Sequence, residues 1–190
     1  MVRLNKIYTR TGDAGETGLA DGSRVAKDDP LAAAMGDVDE ANSAIGVALL
    51  QVADDEVAAM LRRIQNELFD LGADLATPGE DFAPSEMALR IVQPQVDRLE
   101  AEIDRMNDHL EPLRSFILPG GEAGSAQLHL ARSIARRAER SAVAASRRRA
   151  LNPLAMVYLN RLSDHLFVTA RYVASRHGGD ILWQPGATRQ

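Results

Sequence analysis

Apolar residues recur along most of the chain at steps of three and four positions, which is the spacing of one buried face of an α-helix. Breaks that contain proline and glycine, such as Thr77-Pro78-Gly79, separate the periodic segments. Pro94 is expected to bend the third helix or to delay its start. The predicted helices run from Pro30 to about Val52, from about Asp54 to Ala76, from about Ser85 to His109, from just after Gly121 to about Ala150, and from Pro153 to about His177.

Long helices joined by short links are typical of a helical bundle. The pattern therefore predicts an all-α, single-domain five-helix bundle of the ferritin-like kind, with essentially no sheet. The 190 residues are enough for one well-buried core and few for two. The predicted parts are a glycine-rich N-terminal loop at 1–29, the helical bundle at 30–177 and a C-terminal tail at 178–190.

Composition and charge narrow the class of protein. Aromatic residues make up only 4% of the chain and alanine is abundant, which favours helices packed closely through small side chains. Because there is no cysteine, disulfides and thiolate metal sites are excluded. The net charge of −5 argues against nucleic-acid binding, which needs an extended positive field. No run approaches the roughly 20 apolar residues of a membrane span, and the N-terminus lacks an apolar signal core, so we expect a cytoplasmic protein without a membrane partner.

Residues 5–24 show neither helical nor strand periodicity and predict a loop. Flexible backbone N–H groups and hydroxyl side chains, which are abundant here, are groups that wrap a polyphosphate. This is not the usual phosphate-binding loop, because no Gly-Lys-Ser/Thr follows the glycines and no clear strand precedes them. Its acids are equally consistent with ordinary turns. The glycines and hydroxyl residues are Gly12, Gly15, Gly18, Gly22, Thr9, Thr11, Thr17 and Ser23.

The fourth predicted helix carries a row of arginines. Arg132, Arg136 and Arg140 are spaced four apart and therefore share one helix face. Aligned guanidinium groups repel one another unless an anion lies between them, and Glu139 is the one acid among them. Arg132 and Arg136, together with Arg137 about 100° round the helix from Arg136, therefore predict a phosphate-binding site. A solvated basic face is the alternative, and we prefer it for the three arginines at 147–149, where cations suit the helix dipole.

Polar residues also interrupt the apolar faces of the first and fifth helices. Acids near a helix start often only stabilise its dipole, but Asp39 lies three residues from Asn42, and a partly buried Asp39 would need a cation from the fourth helix. On the fifth helix, a carboxamide at Asn160 that faces the arginine row could orient a nucleotide. A structural ion pair is expected here, either of Arg161 with Asp164 or of Asp164 with an arginine of the fourth helix.

Metal and acyl-transfer chemistry find no support in the sequence. The histidines are scattered without metal-ligand spacing, and the Glu-x-x-His motifs of a di-iron bundle are missing, so no metal site is predicted. The chain suggests no Ser-His-Asp or Cys-His arrangement either. The residues alone thus predict a helical bundle whose loop and arginine row grip a polyphosphate, and they leave the reaction open.

Six segments of the chain resemble the successive signature motifs of one enzyme family. They are IYTRTGDAGETGL at the N-terminus, DVDEANSAIG on the first helix, SFILPGG before the fourth, LHLARSIARRAER on it, YLNRLSDHLFVTAR on the fifth and ILWQP in the tail. In this order, over residues 7–185, they are similar to the trimeric ATP:cob(I)alamin adenosyltransferases. The resemblance implies a homotrimer with active sites between adjacent subunits. It also implies transfer of the 5′-deoxyadenosyl group of ATP to cob(I)alamin, with release of triphosphate.

The same resemblance implies which residues bind ATP, which enters with Mg²⁺. It also implies that cobalamin is the second substrate. Two departures from the family pattern are Ala14, where lysine is common, and Glu122, where serine is common. The first removes one cation near the phosphates. The implied ATP-binding residues are Thr9, Arg10, Thr11, Gly12, Asp13, Gly15, Thr17, Gly18, Lys27, Arg136, Arg137, Glu139, Arg140 and Asn160.

Four residues are implied in catalysis, namely Arg136, Phe116, Asp39 and Arg132. Arg136 would stabilise the charge on the leaving triphosphate. Phe116 matches the family aromatic that covers the lower face of the corrin and keeps the nucleotide base off the cobalt, and a plain core residue is the alternative. Asp39 of one subunit is expected to pair with Arg132 of its neighbour. A cob(II)alamin reductase and a cobalamin-dependent mutase are further expected partners.

Two rival interpretations remain at this stage. One is a regulatory helical bundle that binds ATP with the same loop and arginine row but does not catalyse a reaction. The other is a ferritin-like metal or haem bundle, which the missing ligands disfavour.

Overall fold

Five helices form the bundle in residues 7–86 and 88–189, the part of the chain that the computed structural model describes. They are α1 (Pro30–Leu49), α2 (Asp55–Leu75), α3 (Gln93–Asn107), α4 (Ala123–Ser146) and α5 (Pro153–Ser175). The predicted all-α five-helix bundle is confirmed. Residues 1–6 of the predicted N-terminal segment, Met87 and Gln190 of the tail lie outside the described residues.

Side chains just before four of the helices, including Glu122 before α4, fix where these helices begin. The carboxylate of Asp29 accepts a 2.8 Å hydrogen bond from the N–H of Leu31, and Pro30 supplies the first helical residue. Asp54 caps α2, and the amide oxygen of Asn152 caps α5. Each cap satisfies an N–H group that the helix itself leaves without a partner.

The third and fourth helices are shorter than the sequence predicted. α3 begins at Gln93 rather than near Ser85, because Pro94 lacks an N–H group and fits only the first turn of a helix. The segment before it is instead held by Arg90, whose guanidinium forms a buried 2.8 Å ion pair with Asp74. α4 ends at Ser146 rather than near Ala150.

The fourth helix lies at the centre of the packing, against α1 on one side and α5 on the other. Alanine side chains allow this close approach because a methyl group is small and lets the backbones of neighbouring helices pack near each other. The fully buried alanines of these three helices are Ala34, Ala41 and Ala48 on α1, Ala131, Ala135, Ala138, Ala142 and Ala145 on α4, and Ala155 and Ala170 on α5.

A buried ionic network joins α2, α3 and α5 inside the bundle. Arg63 donates hydrogen bonds of 2.6 and 2.8 Å to the two carboxylate oxygens of Glu102, and the His165 ring lies 3.0 Å from the same carboxylate. The hydroxyl of Tyr158 donates to Glu67 over 2.7 Å. Buried charges are stable only when they are paired in this way, so the network fixes how the three helices meet.

The N-terminal segment contains a small sheet that the sequence did not predict. Strands β1 (Glu16–Gly18) and β2 (Arg24–Ala26) pair antiparallel, with Thr17 opposite Val25. Gly22 takes a φ of 83° in the turn between them, a conformation that favours glycine. Three residues a strand are too few to show a period of two, which is why the pattern indicated only a loop.

Candidate functional site

The arginine row lies on the outer face of α4. Arg132, Arg136 and Arg140 are each at least partly exposed, while the alanines between them are buried. Eight residues of helix separate the first from the last, which is about 12 Å along the axis. Arg140 donates a 2.8 Å hydrogen bond to the carbonyl oxygen of Arg136, and neither guanidinium forms an ion pair with a described residue. Two uncompensated cations therefore face outward in line.

Arg137 differs from the row, because its guanidinium is already engaged by the acids of α1. Its Nε lies 3.2 Å from Asp37, and Glu40 pairs with the same side chain. The hydrogen bonds that Arg137 donates to Glu40, and then to Asp37, raise the pKa of its guanidinium. The hydroxyl of Ser141, one turn further along α4, also donates to Asp37. Arg137 thus ties α4 to α1 in this chain.

Asn160 of α5 lies beside the row, as the sequence predicted. Its amide nitrogen donates a 3.1 Å hydrogen bond to Glu139 of α4. The expected pair of Arg161 with Asp164 is also present, at 3.1 Å, and Glu100 shares the guanidinium at 2.9 Å. Asn160 and Glu139 therefore form an exposed polar pair on the same side of the bundle as the arginines.

The N-terminal loop is held by its own contacts. Arg24 donates a 2.6 Å hydrogen bond to the carbonyl oxygen of Thr11, whose hydroxyl lies 2.8 Å from that of Thr9. A Cβ atom at Gly12 would lie 3.3 Å from Nζ of Lys27, so the ammonium group rests against this glycine. Exposed backbone N–H groups beside a lysine are suited to an anion.

Within one chain the loop docks at the end of the bundle where α4 ends, away from the start of the arginine row. The buried Leu19 and a 2.9 Å hydrogen bond from Ala20 to Ala76 dock the loop where α2 ends. Arg149, just beyond the end of α4, pairs with Asp29 at the same end of the bundle. Arg136 lies ten residues before the end of α4, which is about 15 Å along the helix.

An aromatic cavity of about 690 Å³ opens beside Arg132, the first residue of the arginine row. Phe116 is 77% exposed at its edge, so the alternative that it is a core residue is wrong. Its ring centroid lies 5.9 Å from that of Trp183, at an interplanar angle of 59°. The lining residues are Leu113, Arg114, Ser115, Phe116, Ile117, His129, Arg132, Phe167, Trp183 and Pro185.

The C-terminal tail positions Phe116. Residues 115–118 pair with residues 181–183, including a 2.8 Å hydrogen bond from the N–H of Trp183 to the carbonyl oxygen of Phe116. Arg171 anchors the tail by an ion pair of 2.9 Å with Asp180. The sequence placed an aromatic residue in the tail but gave no sign of this pairing.

His129 and Arg132 form a polar part of the cavity wall, and the sequence gave His129 no role. Neither ring nitrogen of His129 has a hydrogen-bond partner among the described residues, and the side chain is 3% exposed. Burial lowers the pKa of this ring, as does the charge of Arg132, against a smaller opposing effect of Asp180. Nε of Arg132 is buried and unpaired as well, and burial followed by the charge of Arg136 lowers the pKa of Arg132. The signal that could have found His129 is its spacing of three residues from Arg132 on the same helix.

Asp39 lies on a different surface from Arg132, and its side chain is exposed within a single chain. Its side chain is exposed beside a groove between α1 and α2 that also contains Phe69, itself 70% exposed. The acid that meets a cation of α4 is instead Asp37, two residues earlier. Asp39 forms no ion pair with any described residue of its own chain.

Among residues 7–86 and 88–189, no group of three or more histidine, aspartate and glutamate side chains is arranged to hold a metal ion. None of the described helices combines the length and the apolar character that a membrane span requires.

Comparison with known proteins points to one family. The family model described as Cobalamin adenosyltransferase matches residues 7–173. The chain is 52% identical to the corrinoid adenosyltransferase of Mycobacterium leprae (strain TN), over 97% of this chain and 98% of that protein. It is 48% identical to the cobalamin adenosyltransferase of Cupriavidus metallidurans, over 96% of each. Its fold is similar to that of a variant PduO-type ATP:corrinoid adenosyltransferase from Lactobacillus reuteri complexed with cobalamin and ATP, with a TM-score of 0.86 and 38% identity over 94% of this chain and 99% of that one.

Proposed function

Because the chain belongs to the cobalamin adenosyltransferase family, it is an ATP-dependent corrinoid adenosyltransferase, and we propose that both substrates bind along the outer face of α4. The reaction transfers the 5′-deoxyadenosyl group of ATP to the cobalt of cob(I)alamin, giving adenosylcobalamin and triphosphate. Mg²⁺ enters with ATP, held by the phosphate oxygens of the substrate.

One observation carries the proposed site: the arginine row begins in the wall of the aromatic cavity and continues along α4 to Glu139 and Asn160. A corrin ring has broad apolar faces, which suit a cavity edged by Phe116 and Trp183. A triphosphate needs fixed cations, which the row supplies. One continuous surface therefore has room for both reactants, as direct group transfer between them requires.

The chemistry needs no nucleophile from the protein. Cobalt(I) supplies an electron pair that forms the cobalt–carbon bond to C5′, while the C5′–oxygen bond breaks and its electrons leave on the triphosphate. The residues have to align the two substrates and to stabilise the negative charge on the leaving group. Arg136 and Arg140 serve this purpose, since neither guanidinium forms an ion pair with a described residue and Arg140 keeps donors besides the one that bonds the carbonyl oxygen of Arg136. The pair of Asn160 with Glu139 orients the nucleoside.

Arg137 acts indirectly in this proposal. Its guanidinium is bound by Asp37 and Glu40, so it holds α4 against α1 and fixes the direction of its neighbour Arg136. We therefore propose that Arg137 supports ATP binding by positioning Arg136 and does not itself contact ATP.

The N-terminal loop binds the rest of ATP from the adjacent subunit of a homotrimer. Three features support this arrangement. The loop docks away from the start of the row of its own chain, Asp39 has no ionic partner there, and the exposed Phe69 marks an apolar surface beside it. The loop residues Thr9, Arg10, Thr11, Gly12, Asp13, Gly15, Thr17, Gly18 and Lys27 keep their proposed role.

Phe116 covers the lower face of the corrin. Its exposure at the cavity edge and its contact with Trp183 support this role, because an aromatic ring held beside a ligand pocket can take the place of a displaced nucleotide base. Cobalt without that lower ligand is easier to reduce to the reactive state. A reductase that supplies cob(I)alamin, a mutase that uses the product and a cytoplasmic location remain predictions.

Product formation tests the proposed function. Purified protein is incubated anaerobically with ATP, Mg²⁺ and chemically reduced cobalamin, and the visible spectrum is followed for the alkylated corrinoid while triphosphate is assayed. Formation of both products in equal amounts supports the transfer. A protein that binds ATP and releases no triphosphate would instead be the regulatory module.

A further inference from the structure

The strongest unused feature of the molecule is the unsatisfied imidazole of His129. Both of its ring nitrogens are buried without a partner in the described chain, although the side chain forms part of the cavity wall. Leaving a buried polar group unpaired costs roughly 1 to 3 kcal/mol. Such a group in a cavity wall is commonly paired by a ligand or an ordered water.

The surroundings of His129 favour a neutral ring. Arg132 lies one helical turn away, Phe167 packs with its ring centroid 6.0 Å from the imidazole, and Asp180 is the acid that opposes the arginine. A neutral imidazole presents one N–H donor and one nitrogen acceptor. The Cβ–Cγ torsion of histidine is soft, so the ring can turn a nitrogen toward the cavity without a change in the helix.

The ligand group that matches this pattern is a primary carboxamide, which also has both a donor and an acceptor. A phosphate offers acceptors alone and would be drawn to the neighbouring arginines instead. The corrin ring of cobalamin carries acetamide and propionamide side chains around its edge. We propose that His129 binds the corrinoid by hydrogen bonds to one of these carboxamides and so fixes the rotation of the ring in the cavity. This inference rests on the proposed function, because it takes the corrinoid as the occupant.

The test measures corrinoid binding without turnover. Two probes are titrated anaerobically into the protein with Mg-ATP, each in its cobalt(II) state. One is cobinamide, and the other is its counterpart with methyl esters in place of the side-chain amides. Both probes lack the lower nucleotide, so they differ in the side-chain amides alone. The variants are His129→Leu, which removes both ring nitrogens at similar volume, His129→Gln, which keeps a donor and an acceptor, and His109→Leu as a control outside the cavity.

We expect His129→Leu to weaken cobinamide binding about tenfold, the equivalent of one or two hydrogen bonds. Binding of the ester should weaken clearly less, because an ester carbonyl can still accept from the ring N–H but has no N–H to donate to the ring nitrogen. His129→Gln should recover part of the loss, and His109→Leu should bind both probes as the wild type does. The Kd for Mg-ATP, titrated without corrinoid, should stay constant in every variant. The ligand-free His129→Leu protein should melt at the same temperature as the wild type or higher, because the substitution removes an unpaired buried group.

Two results would overturn the inference. One is equal cobinamide affinity of the wild type and His129→Leu, which would mean that water or nothing satisfies the ring. The other is a lower melting temperature with equal losses for both probes, which would make His129 a structural residue. The proposed function is judged separately, since a wild type that binds cobinamide but forms no adenosylated product would contradict the function and leave the binding result intact.

Discussion

The N–H of Trp183 donates a 2.8 Å hydrogen bond to the carbonyl oxygen of Phe116, and the two aromatic rings lie 5.9 Å apart at the cavity edge. This contact joins the C-terminal tail to the segment that precedes α4. The backbone pairing leaves Phe116 no place in the core and turns its ring to the cavity. The site therefore depends on a tail that lies outside the helical bundle.

Replacing Phe116 should separate reduction from alkyl transfer. We expect Phe116→Ala to lose more activity when the assay starts from cob(II)alamin with a reducing system than when pre-reduced cob(I)alamin is supplied. The reason is that a ring on the lower face of the corrin eases reduction of the cobalt and contributes less to the transfer itself. Equal losses in the two assays would contradict the proposed role.

The Trp183 ring should contribute to corrinoid binding through its contact with Phe116. An aromatic pair contributes roughly 0.5 to 1.5 kcal/mol beyond its buried area, so Trp183→Ala should raise the KM for the corrinoid about two- to tenfold. The KM for ATP should not change. Trp183→Phe, which keeps an aromatic ring, is the control and should stay close to the wild type. An unchanged corrinoid KM in the alanine variant would show that the ring contact has no part in binding.

Arg136→Ala should reduce turnover sharply with little effect on the fold. A charge-assisted hydrogen bond to phosphate contributes on the order of 1.5 to 3 kcal/mol, or about tenfold to more than a hundredfold in rate. The exposed guanidinium has no ionic partner in the described chain, so the melting temperature should stay nearly constant. Arg148→Ala removes an exposed arginine beyond the end of α4 and should keep full activity. Wild-type kinetics in Arg136→Ala would remove this residue from the site.

The unpaired Asp39 leads to a prediction about assembly. If Asp39 of one subunit binds Arg132 of its neighbour, Asp39→Arg should be inactive or poorly assembled, and Asp39→Arg combined with Arg132→Asp should recover part of the loss. Breaking one side of a buried pair costs roughly 3 to 5 kcal/mol, and an exposed pair contributes about 1 or less, so the size of the loss reports burial at the interface. Sedimentation and activity are measured on both single variants and on the double variant. A fully active monomer, or a double variant no better than the single ones, would contradict the pairing.

The buried network around Glu102 predicts how stability depends on pH. Burial raises the pKa of this carboxyl, but hydrogen bonds from His165 and Arg63 outweigh burial and lower the pKa from 4.5 to about 2. A carboxyl with a lower pKa in the folded state stabilises the fold above its unfolded pKa, and this stability is lost as the pH falls through the folded value. The loss should amount to on the order of 3 kcal/mol between about pH 4.5 and 2.

Urea unfolding at a series of pH values measures this loss. Glu102→Gln should be less stable than the wild type at pH 7, because Arg63 loses its buried partner, and should depend less on acid. Glu100, which is exposed on the same helix, offers the control Glu100→Gln, with acid dependence close to the wild type. An acid dependence of Glu102→Gln as steep as that of the wild type would assign the effect to other carboxylates.

The sequence by itself determined the helices and their order. Periodicity at three and four residues placed all five, because a helix buries one face whatever its neighbours are. It also identified the arginine row and Asn160, since positions four apart on a helix share a face in any fold. The motifs gave the family, which the comparisons confirmed.

Only the tertiary structure decided which side chains meet across elements. Periodicity cannot tell Asp37 from Asp39, because both lie on one helix and the side chains that could pair with them lie on others. In the packed bundle Asp37 pairs with Arg137, and Asp39 stays exposed. Pro94 accounts for the late start of α3, but the path of the segment before it depends on the buried pair of Arg90 with Asp74, which joins segments far apart in the chain. The aromatic cavity exists because the tail pairs with the segment before α4. This pairing turns Phe116 outward, and the His129 ring in the cavity wall stays unpaired. No local sequence pattern encodes a contact between two segments that distant.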